Sequence, residues 1–127
     1  MLVKYEGGLK FTAETRGHKI VVDQPEAAGG ADQGMTPPEL LAASLGSCVG
    51  VYIAEYCKRA RINCEGMTID VAWEKASDPA RIGRMRAIVD IPEGIPETRR
   101  SAVRRVAEKC LIHQTLHGRP DITIELV

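Results

Sequence analysis

The stretch Met35-Thr36-Pro37-Pro38-Glu39-Leu40-Leu41-Ala42-Ala43-Ser44-Leu45-Gly46-Ser47-Cys48 decides the fold. Thr36 is placed to cap a helix, and Pro37 suits a first turn, where its missing N–H goes unused. Glu39, three residues after Thr36, completes a capping-box pattern. The apolar residues Leu40, Leu41, Leu45, Val49, Tyr52, Ile53 and Tyr56 continue it, so the spacing predicts a helix from Thr36 or Pro37 to about Arg61. Charge returns only at Glu55, Lys58, Arg59 and Arg61, which reads as an N-terminal half buried on all sides. Gly46 and Gly50 each cost roughly 1 kcal/mol against alanine inside a helix. Together with Ala42, Ala43, Ser44 and Ser47 they thin the helix, so that another backbone can lie against it, and Cys48 sits in the thinned stretch.

Ahead of this helix the chain reads as short strands. Residues 9–15 alternate loosely, and 18–23 hold three β-branched residues in a row, with Arg16-Gly17 between them suited to a tight turn. Residues 25–34 carry too many breakers for either element and read as loop. Behind the helix, Met67, Ile69, Val71 and Trp73 alternate on one face, residues 85–91 have similar character, and Ser77-Asp78-Pro79-Ala80 supplies a turn, which makes a hairpin. A second helix follows over about 96–109. Ala102, Val103, Val106, Ala107 and Cys110 cluster on one arc of it, with Arg100, Arg104, Arg105 and Lys109 on the other. Cys110 therefore points inward at the end of that helix. After the turn at His117-Gly118-Arg119-Pro120, residues 122–126 close the chain as a strand. The order βββ-α-ββ-α-β describes an α+β domain, with helices packed on an antiparallel-rich sheet.

Length and composition bound the function. A chain of 127 residues is expected to form a single domain over 1–127. Seventeen Lys plus Arg against seventeen Asp plus Glu leave no basic excess, which argues against a nucleic-acid or acidic-membrane partner. Few aromatics offer themselves as stacking platforms for single strands. The N-terminus turns polar at Lys4-Tyr5-Glu6 and so does not read as a leader, and no uninterrupted apolar run approaches the roughly 20 residues of a membrane span. The protein is expected to be soluble and cytoplasmic, with free or catalytic thiols in place of structural disulfides.

Cys48 and Cys110 carry the chemistry worth weighing. Two inward thiols on separate helices make a candidate redox couple, since packed helices can bring sulfurs to the separation a disulfide needs. The plainer alternative is tight helix packing with Cys48 as a small apolar filler. Arg16 is one of few cations near apolar parts of the chain, and a nearby guanidinium lowers a thiol pKa; the alternative is a solvated turn charge. Cys57 and Cys64 follow at the end of the first helix and in the loop after it, with no Cys-x-x-Cys pair among the four cysteines. Cys110-x-x-His113 offers two metal ligands, with Cys57 and Cys64 as partners to complete a site, but nothing in the spacing requires a metal. His113 and His117 read as hydrogen-bonding groups at a helix end, near its partial negative charge.

The two cysteine segments resemble those of the OsmC/Ohr family, the osmotically inducible and organic hydroperoxide resistance proteins. The resemblance rests on Gly34-x-x-Pro37-x-Glu39-Leu40-Leu41-Ala42-Ala43-x-x-Gly46-x-Cys48 and on Cys110-x-x-His113-x-Thr115-Leu116, with helix positions and strand order agreeing along almost the whole chain. It implies an OsmC-like two-layer fold with two central helices, in an intertwined homodimer with sites at the subunit interface. It further implies a thiol peroxidase without metal, haem or flavin. Cys48 would attack an organic hydroperoxide and become a sulfenic acid, and Cys110 would condense with it to a disulfide. A dithiol reductant, a dihydrolipoyl protein in some members, would regenerate the thiols. In peroxidase members an arginine sits at the thiol, and a glutamate ten residues before the cysteine orients it. Here Pro38 holds that glutamate position, Glu39 is the match one residue later, and Arg16 is the matching arginine.

Three functions compete on this reading: an organic hydroperoxide reductase, a non-enzymatic module that binds a small apolar ligand, and a metal-binding or structural dimer with passive thiols. The first is favoured, because both inward cysteines occur together with the motif residues around each.

Overall fold

A computed structural model describes residues 1–127. The chain forms two compact units, Met1–Leu41 and Ala42–Val127. In the first, β1 (Leu2–Tyr5), β2 (Phe11–Thr15) and β3 (His18–Val22) make an antiparallel sheet in sequence order. Leu2 to Tyr5 pair with Glu14 to Phe11, and Phe11 to Thr15 pair with Val22 to His18. Arg16 and Gly17 form the turn, with φ of 51° and 80°. Two left-handed residues match the right-handed twist of the flanking strands, so a two-residue connection suffices. The breaker-rich stretch that follows is loop apart from one short 3₁₀ turn at Glu26–Ala28. The buried Asp23 organises that loop. Its carboxylate accepts the amides of Gln24 at 2.8 Å and of Ala31 and Gln33 at 3.2 Å. Burial alone would raise this carboxyl, but the three amides and the charge of Lys10 outweigh it and hold the group below its ordinary value.

The expected long helix, α1, spans Pro37–Ala60. At its start Glu39 folds back, and its Oε2 accepts both the Thr36 amide at 2.7 Å and the Thr36 hydroxyl at 2.8 Å. Its buried residues, Ala42, Leu45, Gly46, Val49, Ile53 and Cys57, recur three or four apart and form one stripe. The expectation of burial on all sides is corrected, because Ala43, Ser47 and Val51 are exposed. The expectation that no run approaches the length of a membrane span is narrowed. By length and composition α1 is able to cross a membrane, with a mean hydropathy of 1.5 over 18 residues. Glycine, serine and alanine interrupt its apolar run without adding charge, so counting uninterrupted apolar residues overlooks it.

Within the second unit, β4 (Thr68–Ala76) and β5 (Arg81–Asp90) form the hairpin, paired from Thr68 with Asp90 to Ala76 with Arg81 and bulged between Glu74 and Lys75. The small residues of α1 admit this hairpin. A Cβ on Gly46 would lie 3.0 Å from the Val71 Cγ2, and one on Gly50 3.1 Å from the Ile69 Cδ1. What lies against the thinned helix is thus the side chains of β4, where the sequence suggested another backbone. The second helix, α2 (Glu97–Glu108), buries Val103 and turns Arg100, Arg104 and Arg105 outward. The core gathers Leu45, Val49, Ile53 and Cys57 of α1 with Ile91, Val103 and Cys110.

Two elements differ from expectation. Cys110 does not end α2; it caps a third helix, α3 (Leu111–Gly118), which the sequence reading did not resolve from its neighbour. No closing strand forms over residues 119–127, where Ile122, Ile124 and Leu126 are 81%, 86% and 97% exposed. The alternation is there, but a strand is completed by hydrogen bonds to a sheet edge, and this segment pairs with none.

Candidate functional site

Helix α2 stops at Lys109, and Cys110 leaves the helical region for an extended backbone at φ −59°, ψ 142°. That single extended residue turns the chain into α3 and places the Cys110 sulfur over the new helix's first amides. The His113 amide donates to it at 3.2 Å, with the Ile112 amide nearby. Gln114 closes the junction by donating its side-chain amide to the Glu108 carbonyl at 2.6 Å. Cys110 is fully buried, whereas Cys48, on α1, is half-buried and packs against the same core cluster. The two thiols lie close enough for Cys48 to influence the proton on Cys110, and both are free. Burial is the largest influence on the Cys110 thiol and raises its pKa, and the neighbouring Cys48 adds to that; the two α3 amides pull the other way without prevailing. Cys110 therefore stays protonated at neutral pH.

A cavity of about 710 Å3 lies in the same unit, between α1, β5 and α2. Leu45, Val49, Ile53, Met85, Val89 and Val103 make its lining mostly apolar. Neither cysteine of the couple lines it, but His113 does, and the amide of that residue holds Cys110. The His113 Nδ1 is buried and has no hydrogen-bond partner, and its ring lies 4.5 Å from that of His117. This corrects the expected location of His113. It sits in the first turn of α3, at the positive end of a helix dipole, and only His117 occupies a last turn.

The structure thus brings together Cys48 and Cys110. Arg16 and Glu39 belong to the first compact unit, where Arg16 is an exposed turn residue and Glu39 is engaged with Thr36. Cys57 and Cys64 form a separate pair towards the other end of α1. Nine residues of helix, about 13.5 Å along the axis, separate Cys57 from Cys48. No three His, Cys, Asp or Glu side chains cluster as a metal site would need.

Residues 29–125 match the family model of OsmC-like proteins. The chain belongs to the OsmC-like family. Solved structures share its fold. A candidate osmotic stress induced and detoxification response protein from Psychrobacter arcticus 273-4 superposes with a TM-score of 0.84 at 24% identity, over 90% of this chain and 85% of that one. An organic hydroperoxide resistance protein OsmC from Legionella pneumophila gives 0.66 at 21% identity, over 92% and 88%. The organic hydroperoxide resistance protein OhrB of Bacillus subtilis gives 0.66 at 22%, over 93% and 90%. No curated protein matches the sequence.

In this OsmC-like chain the sequence reading missed the amides of Ile112 and His113 as partners of Cys110. The signal was present. Cys110-x-x-His113 has the spacing at which a capping side chain meets the third amide of a helix, and Leu111, Ile112, Thr115 and Leu116 continue with helical periodicity.

Proposed function

We propose that this OsmC-like protein is a thiol-dependent peroxidase for organic hydroperoxides. One arrangement carries the reading: a half-buried Cys48 and a fully buried Cys110 pack on the same core cluster, and Cys48 is close enough to help raise the Cys110 thiol. The Cys48 thiolate attacks the O–O bond, takes one oxygen as a sulfenic acid and releases the alcohol. Cys110 then condenses with that sulfenic acid, forming the Cys48–Cys110 disulfide and releasing water. An external dithiol reduces the disulfide by exchange, a dihydrolipoyl protein being one such reductant. By the family resemblance, Arg16 and Glu39 are assigned the supporting roles in this reading. Thr36 takes only the Oε2 of Glu39, which leaves Oε1 free to accept from a guanidinium.

The largely apolar cavity, which shares Leu45 and Val49 of α1 with the surroundings of Cys48, supports an alkyl or aryl substrate. Each buried methylene contributes about 0.8 kcal/mol, and hydrogen peroxide has none to bury. Two or three methylenes favour an organic hydroperoxide by on the order of tenfold or more in kcat/KM. Consumption of cumene hydroperoxide and hydrogen peroxide with dithiothreitol or dihydrolipoamide tests the reading. Turnover with the organic substrate preferred supports it, and no turnover of either overturns it. The cavity by itself favours a second reading, a binding module for a small apolar ligand with passive thiols. Ligand retention without peroxide consumption selects that one.

The protein acts as a homodimer, with residues 1–127 as one OsmC-like domain. The family match across 29–125 supports the single domain. Exposed Leu2, Val3, Tyr5, Ile20, Ile122, Ile124 and Leu126 supply apolar surface for a second copy. Sedimentation at two concentrations checks this, and a monomer at both contradicts it. The even charge balance and the unpaired cysteines support a cytoplasmic protein free of nucleic acid and membrane. Fractionation of cells expressing the full chain tests that location, and recovery in the membrane pellet contradicts it.

A further inference from the structure

The C-terminus of α1 is built as a chain reversal. Arg61 is left-handed at φ 56°, the Ile62 amide donates to the Cys57 carbonyl at 2.9 Å, and the Arg61 amide to the Lys58 carbonyl at 3.4 Å. These two bonds define a Schellman motif, with Cys57 on its last closed turn. The reversal sends the chain back over that turn, so that Ile62 and Cys64 pack on the core cluster that contains the fully buried Cys57. Hydrogen bonds hold Cys64 from both sides. The Asn63 side chain bonds the Glu93 carboxylate at 2.6 Å and the Glu65 amide at 3.0 Å, and the Cys64 carbonyl accepts the Met67 amide at 3.1 Å. Burial, and then the adjacent Cys64 thiol, push the Cys57 thiol up. The pair has no third ligand for zinc. About 13.5 Å of helix separates Cys57 from Cys48.

We propose that Cys57 and Cys64 form a second, independent dithiol–disulfide couple, a modification site that takes a low-molecular-weight disulfide as its oxidant. The half-exposed Cys64 reacts first. Its thiolate attacks one sulfur of the small disulfide RSSR and expels RS⁻, leaving a mixed disulfide on Cys64. Cys57 attacks the Cys64 Sγ and expels the second RS⁻, which takes up the proton that Cys57 gives up. The balance is RSSR plus two protein thiols giving one protein disulfide plus two RSH. The bond fastens the loop leading into β4 onto the end of α1. It closes a short ring, so it stabilises the native state by constraining the unfolded chain.

The test equilibrates the full chain and a Cys48→Ser/Cys110→Ser variant in buffers of oxidised and reduced glutathione. Free thiols are then alkylated, disulfides mapped by mass spectrometry, and folding followed by circular dichroism. A Cys57–Cys64 disulfide forming in a single transition in the folded wild-type chain, with Tm raised by several degrees, is the expected result. The same bond in the folded double variant shows that it is independent of the first couple. Cys64→Ser, which leaves the buried Cys57 in place, abolishes the bond and leaves peroxide turnover unchanged. Cys57 and Cys64 both remaining free in oxidising buffer while the chain is folded overturns the inference. So does glutathione held on Cys64 with no internal bond. Failure of the peroxidase reading shows separately, as absent turnover in the wild-type chain.

Discussion

The backbone amide of His113 donates to the sulfur of Cys110 at 3.2 Å, and the contact exists because Cys110 is the one extended residue between two helices. A sulfur at a helix N-terminus gains from the dipole and from the amides that point at it, which favour the thiolate. Here burial runs against that gain and wins, so the thiol is held protonated. In the proposed cycle this division suits a resolving cysteine. It stays unreactive toward peroxide and is activated by proximity once Cys48 has become an electrophile.

Removing either thiol should therefore have different consequences. Cys48→Ser abolishes peroxide consumption with the fold intact, because a serine hydroxyl at its ordinary pKa does not attack the O–O bond. Cys110→Ser retains the first turnover, accumulates a sulfenic acid at Cys48 and loses steady-state turnover with dithiols. A sulfenic-acid trapping reagent followed by mass spectrometry reads this out. Equal labelling of wild type and Cys110→Ser counts against resolution by Cys110.

The thiols should also differ in reactivity and in their effect on stability with pH. At neutral pH iodoacetamide labels half-exposed Cys48 and Cys64 well before buried Cys57 and Cys110, whose pKa values are raised from 9.0. A raised pKa means that the native state binds its proton more tightly than the unfolded chain. The resulting stability is complete below pH 9.0 and is lost as pH rises through the higher native values. Tm should fall in that alkaline range, and Cys110→Ala should flatten the fall. An unchanged slope would reject the contribution of Cys110.

The contact between α1 and β4 sets a size limit at Gly46. A Cβ there would sit 3.0 Å from the Val71 Cγ2, so Gly46→Ala asks only a small side-chain adjustment. The helix-propensity gain of about 1 kcal/mol offsets that cost, and the change is near neutral. Gly46→Val adds branched bulk at the same point and destabilises by about 1–3 kcal/mol. Urea titration of both variants measures the difference, and equal midpoints would show that the contact is not limiting.

Arg61 adopts a conformation that usually falls to glycine, with φ of 56° in the reversal that ends α1. Left-handed backbone costs a residue with a Cβ about 1–2 kcal/mol, part of which glycine returns through its freer unfolded state. Arg61→Gly should stabilise the chain by about 0.5–1 kcal/mol, visible as a higher Tm at unchanged m-value. A lower Tm would mean that the arginine side chain contributes more than its backbone costs.

Local chemistry was legible in the sequence wherever it acts within a few residues. The Thr36–Glu39 start, the span of α1, the Arg16-Gly17 turn, the hairpin and the apolar arc of α2 all follow from periodicity, capping pattern and turn residues, and the structure has each of them. The two motifs around Cys48 and Cys110 were enough to point to the family.

Tertiary structure decided the rest, for reasons that lie outside any short window. Whether Gly46 and Gly50 receive a backbone or side chains depends on the register of β4, which its pairing with β5 sets. Whether residues 122–126 become a strand depends on pairing with a sheet edge, which alternation alone does not secure. Cys110 faces inward in both descriptions. Its standing as a helix cap, its protonated state and its closeness to Cys48 come from the packing of α1, α2 and α3 around one core. Cys57 and Cys64 meet because a left-handed Arg61 reverses the chain between them. Sequence determined which thiols are present and on which elements. Packing determined which of them touch, because contact between distant residues is fixed only when the elements carrying them bury their apolar faces together.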